Sequence, residues 1–99
     1  MIFLKKVRAS DKSGIINLPK KERTKFGFEP GTLLEIHLKG KEIWIYHSGL
    51  DDKKNQRYVS TKGSITIPAE FRRLLGITEP TPLSLYVDIE KEAFILKKD

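Results

Sequence analysis

Apolar side chains recur at every second residue in several short stretches of the chain, and the spacing turns helical in two others. Ile16-Asn17-Leu18 and Ile65-Thr66-Ile67 each read as a strand with one face buried. Leu34, Ile36 and Leu38 alternate with Glu35 and His37, and Leu83, Leu85 and Val87 alternate with Ser84, Tyr86 and Asp88. Both predict hairpin strands with a wet outer face. Ile43 to Tyr46 and Ala93 to Leu96 are apolar on both faces, which predicts central strands or an interface with another chain. Short first strands are expected at Leu4 to Ala9 and at Arg57 to Ser60, each followed by a polar turn holding Gly14 or Gly63.

Helical spacing appears at Lys20 to Phe26 and Ala69 to Leu75. Pro19 and Pro68 end the preceding strands and suit the first turn of a helix, and Gly76 suits a C-cap. Phe71, Leu74 and Leu75 fall at i, i+3, i+4 and are expected to form one buried stripe. Glu22 stands where Phe71 stands, so the first helix is expected to dock less firmly. Arg72 and Arg73 are expected on the exposed side, with folding unaffected when both become alanine.

The two sets of elements are copies of one pattern. Setting residue n against n + 49 pairs Arg8 with Arg57, Gly14 with Gly63, Ile16 with Ile65 and Pro19 with Pro68. It also pairs Arg23 with Arg72, Gly27 with Gly76, Thr32 with Thr81 and Leu34 with Leu83. Eight identities in one ungapped register, most of them Gly, Pro or Arg, mark an internal repeat. The division is a first unit at 1–48, a polar linker at 49–56 and a second unit at 57–99. Either unit alone buries too little apolar surface to be comfortable, so the two are expected to share one core.

Composition narrows the function. Hydrophobic residues make up 38% and charged residues 32%, which suits a folded domain rather than a disordered chain. Cysteine is absent, which excludes disulfides and thiolate metal sites. His37 and His47 lack a second ligand at metal spacing, so no metal is expected. Apolar runs are too short to span a membrane, and the start at Met1 to Lys6 is too short in its apolar part for a signal peptide, so a cytoplasmic location is expected. No phosphate-cradling glycine loop or nucleophile elbow occurs, so neither an enzyme nor a cofactor is expected. The net charge of +6 favours polyanionic partners, nucleic acid first. Trp44, Tyr46 and Phe94 read as core or interface rather than base-stacking platforms.

Val59-Ser-Thr-Lys-Gly-Ser-Ile-Thr-Ile-Pro-Ala-Glu-Phe-Arg-Arg-Leu-Leu-Gly-Ile77 resembles the AbrB/MazE/MraZ (SpoVT-AbrB) family, whose pattern is a short strand, a turn with Gly, an I-x-I-P strand, an Arg-bearing helix, L-G-I and a hairpin. Gly14 to Pro19 and Arg23 to Phe28 keep the same frame with weaker helix residues. The resemblance implies a mainly β fold with short helices, a swapped-hairpin (double-split) β-barrel, here formed by two tandem repeats in one chain. It also implies a prokaryotic, nucleoid-associated transcriptional regulator that contacts double-stranded DNA through the first strand, turn and short helix. The basic residues expected along that strip are Arg8, Lys12, Lys20, Lys21, Arg23, Arg57, Lys62, Arg72 and Arg73. Arg8 and Arg57 correspond to the basic first-strand position, Arg72 and Arg73 to the helix pair, and Thr24 replaces the second arginine in the first copy. The residue after the turn glycine, commonly Arg or Gln in the family, is Ile15 or Ser64, so no arginine contact carries over there. The family's turn acid is present as Asp11 and replaced by Ser60. Two alternatives stand beside the regulator: an antitoxin with a toxin partner, set lower because the chain closes on a strand at Leu96 rather than on an acidic tail, and a protein-docking barrel that never touches DNA. Further assembly through the apolar last strands is a separate expectation.

Overall fold

The computed structural model describes residues 1–49 and 55–99. Within these the order is β1 (Ile2–Ala9), β2 (Ile15–Asn17), α1 (Lys20–Lys25), β3 (Leu33–Lys39), β4 (Glu42–His47), β5 (Gln56–Tyr58), β6 (Ser64–Thr66), α2 (Ala69–Leu74), β7 (Thr81–Asp88) and β8 (Ala93–Lys98). The fold is mainly β with two short helices, and the order β-β-α-β-β occurs in each half. The expected linker, 49–56, falls mostly on residues 50–54, outside the described residues, and its last residue, Gln56, already belongs to β5.

Strand pairing runs between the halves rather than within them, apart from the two hairpins. The large sheet has the order β1-β7-β8-β4-β3-β5. The first strand of each half lies on the hairpin of the other: β1 on β7, and β5 on β3. The hairpins meet at the centre, where β4 pairs with β8. That meets the expectation from their two-sided apolar pattern. Ile43, Ile45, Phe94 and Leu96 point into the core, and Trp44, Ala93 and Ile95 are buried on the opposite face. A separate ribbon pairs β2 with β6, placing Ile16 opposite Ile65. No hydrogen-bonded closure joins the two edges of the large sheet, β1 and β5, among the described residues. The expected barrel is therefore not seen as a closed ladder, because the chain leaves the large sheet at each turn to build the ribbon.

One core cluster draws on both halves: Ile16, Leu18, Phe28, Leu34 and Ile36 from one, Ile65, Ile67, Phe71, Ile77 and Leu85 from the other. Phe94 sits at its centre, with ring centroids 5.6 Å from Phe26 and 6.0 Å from Phe28.

The expected stripe on α2 needs correction. Phe71 is buried, but Leu74 is 65% exposed and Leu75 only half-buried. Arg72 is buried beside Phe71. Successive helical residues turn by about 100°, so a helix that buries adjacent positions 71 and 72 faces the core between them. Position 75 then stays near the core and position 74 rotates into water. The first helix has the same orientation: Arg23 and Phe26 are buried, Lys25 is exposed.

The outer face of the large sheet has its own order. One row across five strands reads Phe3, Tyr86, Ile95, Trp44 and His37. The indole N–H of Trp44, the chain's one tryptophan, donates to Glu42 Oε1 at 3.1 Å, and Lys97 pairs with Glu42 at 2.9 Å. The hydrogen bonds from Lys97 and Trp44 hold the Glu42 carboxyl below its ordinary range. A depressed carboxyl contributes stability above its unfolded value and loses it as pH falls through the folded one. Acidification below about pH 4 is therefore expected to shift Trp44 emission, and Glu42→Gln to abolish that shift. Emission in the parent that stays flat until circular dichroism is lost would contradict the pairing.

Candidate nucleic-acid interface

The residues singled out by sequence gather around the β2–β6 ribbon, the turns that lead into it and the two helices. Ser10 and Ser60 build the turns. Ser10 Oγ accepts from the backbone N–H of Lys12 at 3.2 Å and of Ser13 at 3.1 Å. Ser60 Oγ accepts from Lys62 at 3.3 Å and Ser64 at 3.0 Å. Such local bonds are why serine favours turns. They leave Lys12 and Lys62 exposed at the two tips.

The turns are tied to the opposite helix. Leu18 N–H donates to Gly63 O at 3.1 Å, and Ile67 N–H to Gly14 O at 2.8 Å. Arg72 crosses from α2 to donate through Nη1 to Ser10 O, and its guanidinium lies over Gly14. Arg23 on α1 does the converse, lying over Gly63 while Nη1 donates to Phe28 O at 3.0 Å and faces Glu29 at 3.7 Å. A Cβ at Gly14 would come within 2.8 Å of Arg72 Nε, and one at Gly63 within 2.9 Å of Arg23 Nε. Each guanidinium thus occupies the space a side chain would fill. The Nε–H of both arginines finds no acceptor.

These contacts correct the expectation that Arg72 is exposed: both Arg72 and Arg23 are 8% exposed. Arginine tolerates this because its long stem packs while its fork reaches a carbonyl. Arg73 does lie exposed, as do Lys20 and Lys21 on α1. These contacts set the turn of Lys12 beside α2, which carries the exposed Arg73, and the turn of Lys62 beside α1, which carries the exposed Lys20 and Lys21. Between them the ribbon exposes Ile15, Asn17 and Thr66.

Comparison with known proteins bears on the family rather than on these cations. Residues 56–99 match the family described as "Antidote-toxin recognition MazE, bacterial antitoxin". Over 42 residues the chain is 52% identical to the "Transition state regulatory protein AbrB" of Bacillus subtilis (strain 168), covering 42% of each protein. The chain is AbrB/MazE-like, and its MazE-type match covers residues 56–99. It spans less than half the length of that AbrB relative. No solved structure matches it significantly.

Within the AbrB/MazE-like half, Arg57 is half-buried and its Nη1 donates to the neighbouring Gln56 O at 2.8 Å. Arg8 and Arg57 do not occupy equivalent places. Arg8 lies opposite Pro82, whose counterpart 49 residues earlier is Leu33, and Leu33 faces Tyr58. The second turn is one residue shorter, so Tyr58 takes the position of Arg8. Tyr58 is 68% exposed, Arg8 is exposed too, and sequence reasoning passed over the tyrosine. Its signal was Ser10 and Ser60, which align only if the turns differ in length. The Ile15 and Ser64 positions also diverge: Ile15 is exposed, whereas Ser64 is buried with its Oγ 2.7 Å from Ser60 Oγ. No cluster of His, Asp and Glu suited to a metal occurs among the described residues, nor does a helix long and apolar enough to cross a membrane.

Proposed function

We propose that the chain is a DNA-binding transcriptional regulator in which two AbrB-like units, 1–48 and 57–99, exchange first strands to make one swapped-hairpin barrel. Duplex DNA lies along the ribbon, gripped by Lys12, Lys62, Lys20, Lys21 and Arg73, with Arg8 and Arg57 at its margins. The observation that carries this is the reciprocal locking of Arg23 over Gly63 and Arg72 over Gly14. It fixes each helix beside the opposite turn and holds two cationic groups on either side of one ribbon. Two such patches suit a pseudo-symmetric duplex site. Arg23 and Arg72 then act as positioning residues, and preference among sequences comes from the exposed arginines and from DNA deformability. The protein works in the cytoplasm on the nucleoid, without a cofactor and without catalysis. The AbrB relative named a regulatory protein supports this assignment.

The test is binding to a mixed duplex pool across a salt series. Neutralising about six phosphates gives a log–log slope near −5 and a loss of about a thousandfold in affinity between about 50 and 200 mM salt. Lys12→Ala with Lys62→Ala, both at exposed tips, is expected to flatten the slope by about 2 with the melting temperature unchanged. An unchanged slope would remove the turns from the interface. The MazE description favours a second reading, an antitoxin with a toxin partner. Absence of duplex binding at low salt, with the protein folded, would move the assignment to that partner.

A further inference from the structure

The outer face of the large sheet carries a second site, remote in the topology from the ribbon. Trp44 forms the floor of a cavity of about 290 Å³ whose other lining residues are Tyr46, Ala93, Lys39 and Lys91. Lys39 ends β3 and Lys91 lies in the turn between β7 and β8, so the two hairpins bring their ammonium groups over the same indole. The distances to the ring are 4.8 Å for Lys39 Nζ and 5.2 Å for Lys91 Nζ, and Lys39 is also 5.5 Å from Tyr46. Beside them the His37 and Tyr46 rings are stacked at 5.1 Å and 6°.

Charge decides what this cavity accepts. Along the strands of this face Glu42 pairs with Lys97, Asp99 with Lys6 and Glu35 with His37, and Asp88 accepts from the backbone N–H of Lys91, which Glu90 and Glu92 flank in the turn. Lys39 and Lys91 have no carboxylate partner among the described residues, and both are exposed. An indole 8% exposed, covered by two ammonium groups that have no ion-pair partner, complements a planar ring flanked by anions once those two side chains swing out. A second copy of the chain fits poorly, since it would bring the same two cations against these. Long lysine side chains move aside cheaply, so a ring can stack on Trp44 while each ammonium turns to an adjoining phosphate.

We propose that this cavity binds an unpaired nucleobase with its flanking phosphates, and that its source is single-stranded nucleic acid. Stacking on an aromatic with lysines tracking the backbone is how unpaired strands are held without sequence preference. The neighbouring row through Ile95 and Tyr86 to Phe3 gives a strand room to continue over about 14 Å at the spacing of sheet strands.

The experiment titrates the whole protein with an adenine dodecamer strand, its duplex with a thymine dodecamer, AMP, and poly-glutamate. Trp44 emission is the site-specific readout, and anisotropy of a labelled strand is the second. The expected result is saturable quenching by the single strand at about 50 mM salt, weakened about tenfold or more by Lys39→Ala with Lys91→Ala, at unchanged melting temperature and unchanged duplex affinity. AMP binding as tightly as the strand would overturn the strand as source in favour of a free nucleotide. Equal quenching by poly-glutamate would overturn the nucleobase and make the face an acidic-protein surface. No quenching, or quenching indifferent to both lysines, would overturn the site itself. Because the ribbon residues are untouched in this variant, failure here leaves duplex binding measurable, and the two assignments fail separately.

Discussion

Replacing Phe94 by alanine is expected to destabilise the protein by about 3–5 kcal/mol. Phe94 is fully buried on β8, faces the rings of Phe26 and Phe28, and belongs to a strand paired on both sides. The rings it faces belong to the N-terminal half, so truncation opens a cavity at the junction of the halves, where two hairpins already fix the backbone and relaxation is limited. For a domain of this size the loss corresponds to a fall in melting temperature of at least about 12 °C. The control is Tyr58→Ala, at a side chain 68% exposed, expected within about 0.5 kcal/mol of the parent. Equal melting temperatures for the Phe94 variant and the parent would refute a core shared between the halves. A single cooperative transition in the parent, lowered as a whole in the variant, is the positive signature.

Much of this architecture is legible in the sequence because it rests on alternation. The two-sided apolar runs at 43–46 and 93–96 read as central strands, and β4 and β8 are central. Prolines 19 and 68 each precede a helix. Orientation of those helices is not legible. A wheel drawn on α2 alone assigns Leu74 inward and Arg72 outward, since it weighs side chains by hydrophobicity. The acceptor that draws Arg72 inward, Ser10 O, lies 62 residues away. The vacancy above Gly14 is likewise made by another part of the chain. Conserved-looking Gly and Arg pairs at the 49-residue offset were the trace of this contact, but sequence alone suggests a turn and a DNA contact instead. The first-strand register escapes for a related reason. Identity of Arg8 and Arg57 outweighs the match of Ser10 to Ser60, although it is the serine hydroxyls that shape the turns. The basic tips at Lys12 and Lys62 and the cations of α1 were found, because exposed cations need no partner to be recognised.

Arg23 and Gly63 are expected to be coupled, and a double-mutant cycle measures it. Gly63 has φ +77°, so alanine there carries a left-handed cost of about 1–2 kcal/mol. Its new Cβ would also meet Arg23 at 2.9 Å from Nε, 3.1 Å from Cζ and 3.2 Å from Nη2. The guanidinium has little room to withdraw, being buried and held by Phe28 O. The collision adds about 1–3 kcal/mol, as overpacking does. Arg23→Ala loses a charge-assisted hydrogen bond, about 1.5–3 kcal/mol, along with the packing of its stem. Combining the two removes the collision while leaving the backbone strain and the lost bond. The double variant should therefore be more stable than the sum of the singles predicts by about 1–3 kcal/mol, read from denaturant midpoints. Additivity to within about 0.5 kcal/mol would mean that Arg23 does not rest on Gly63, and the reciprocal lock would fall with it. Coupling of the expected size makes Arg23 part of the scaffold. Weaker duplex binding by an Arg23 variant then reports a helix that has come away from the opposite turn, and Lys20 and Lys21, which move with that helix, lose their place beside Lys62.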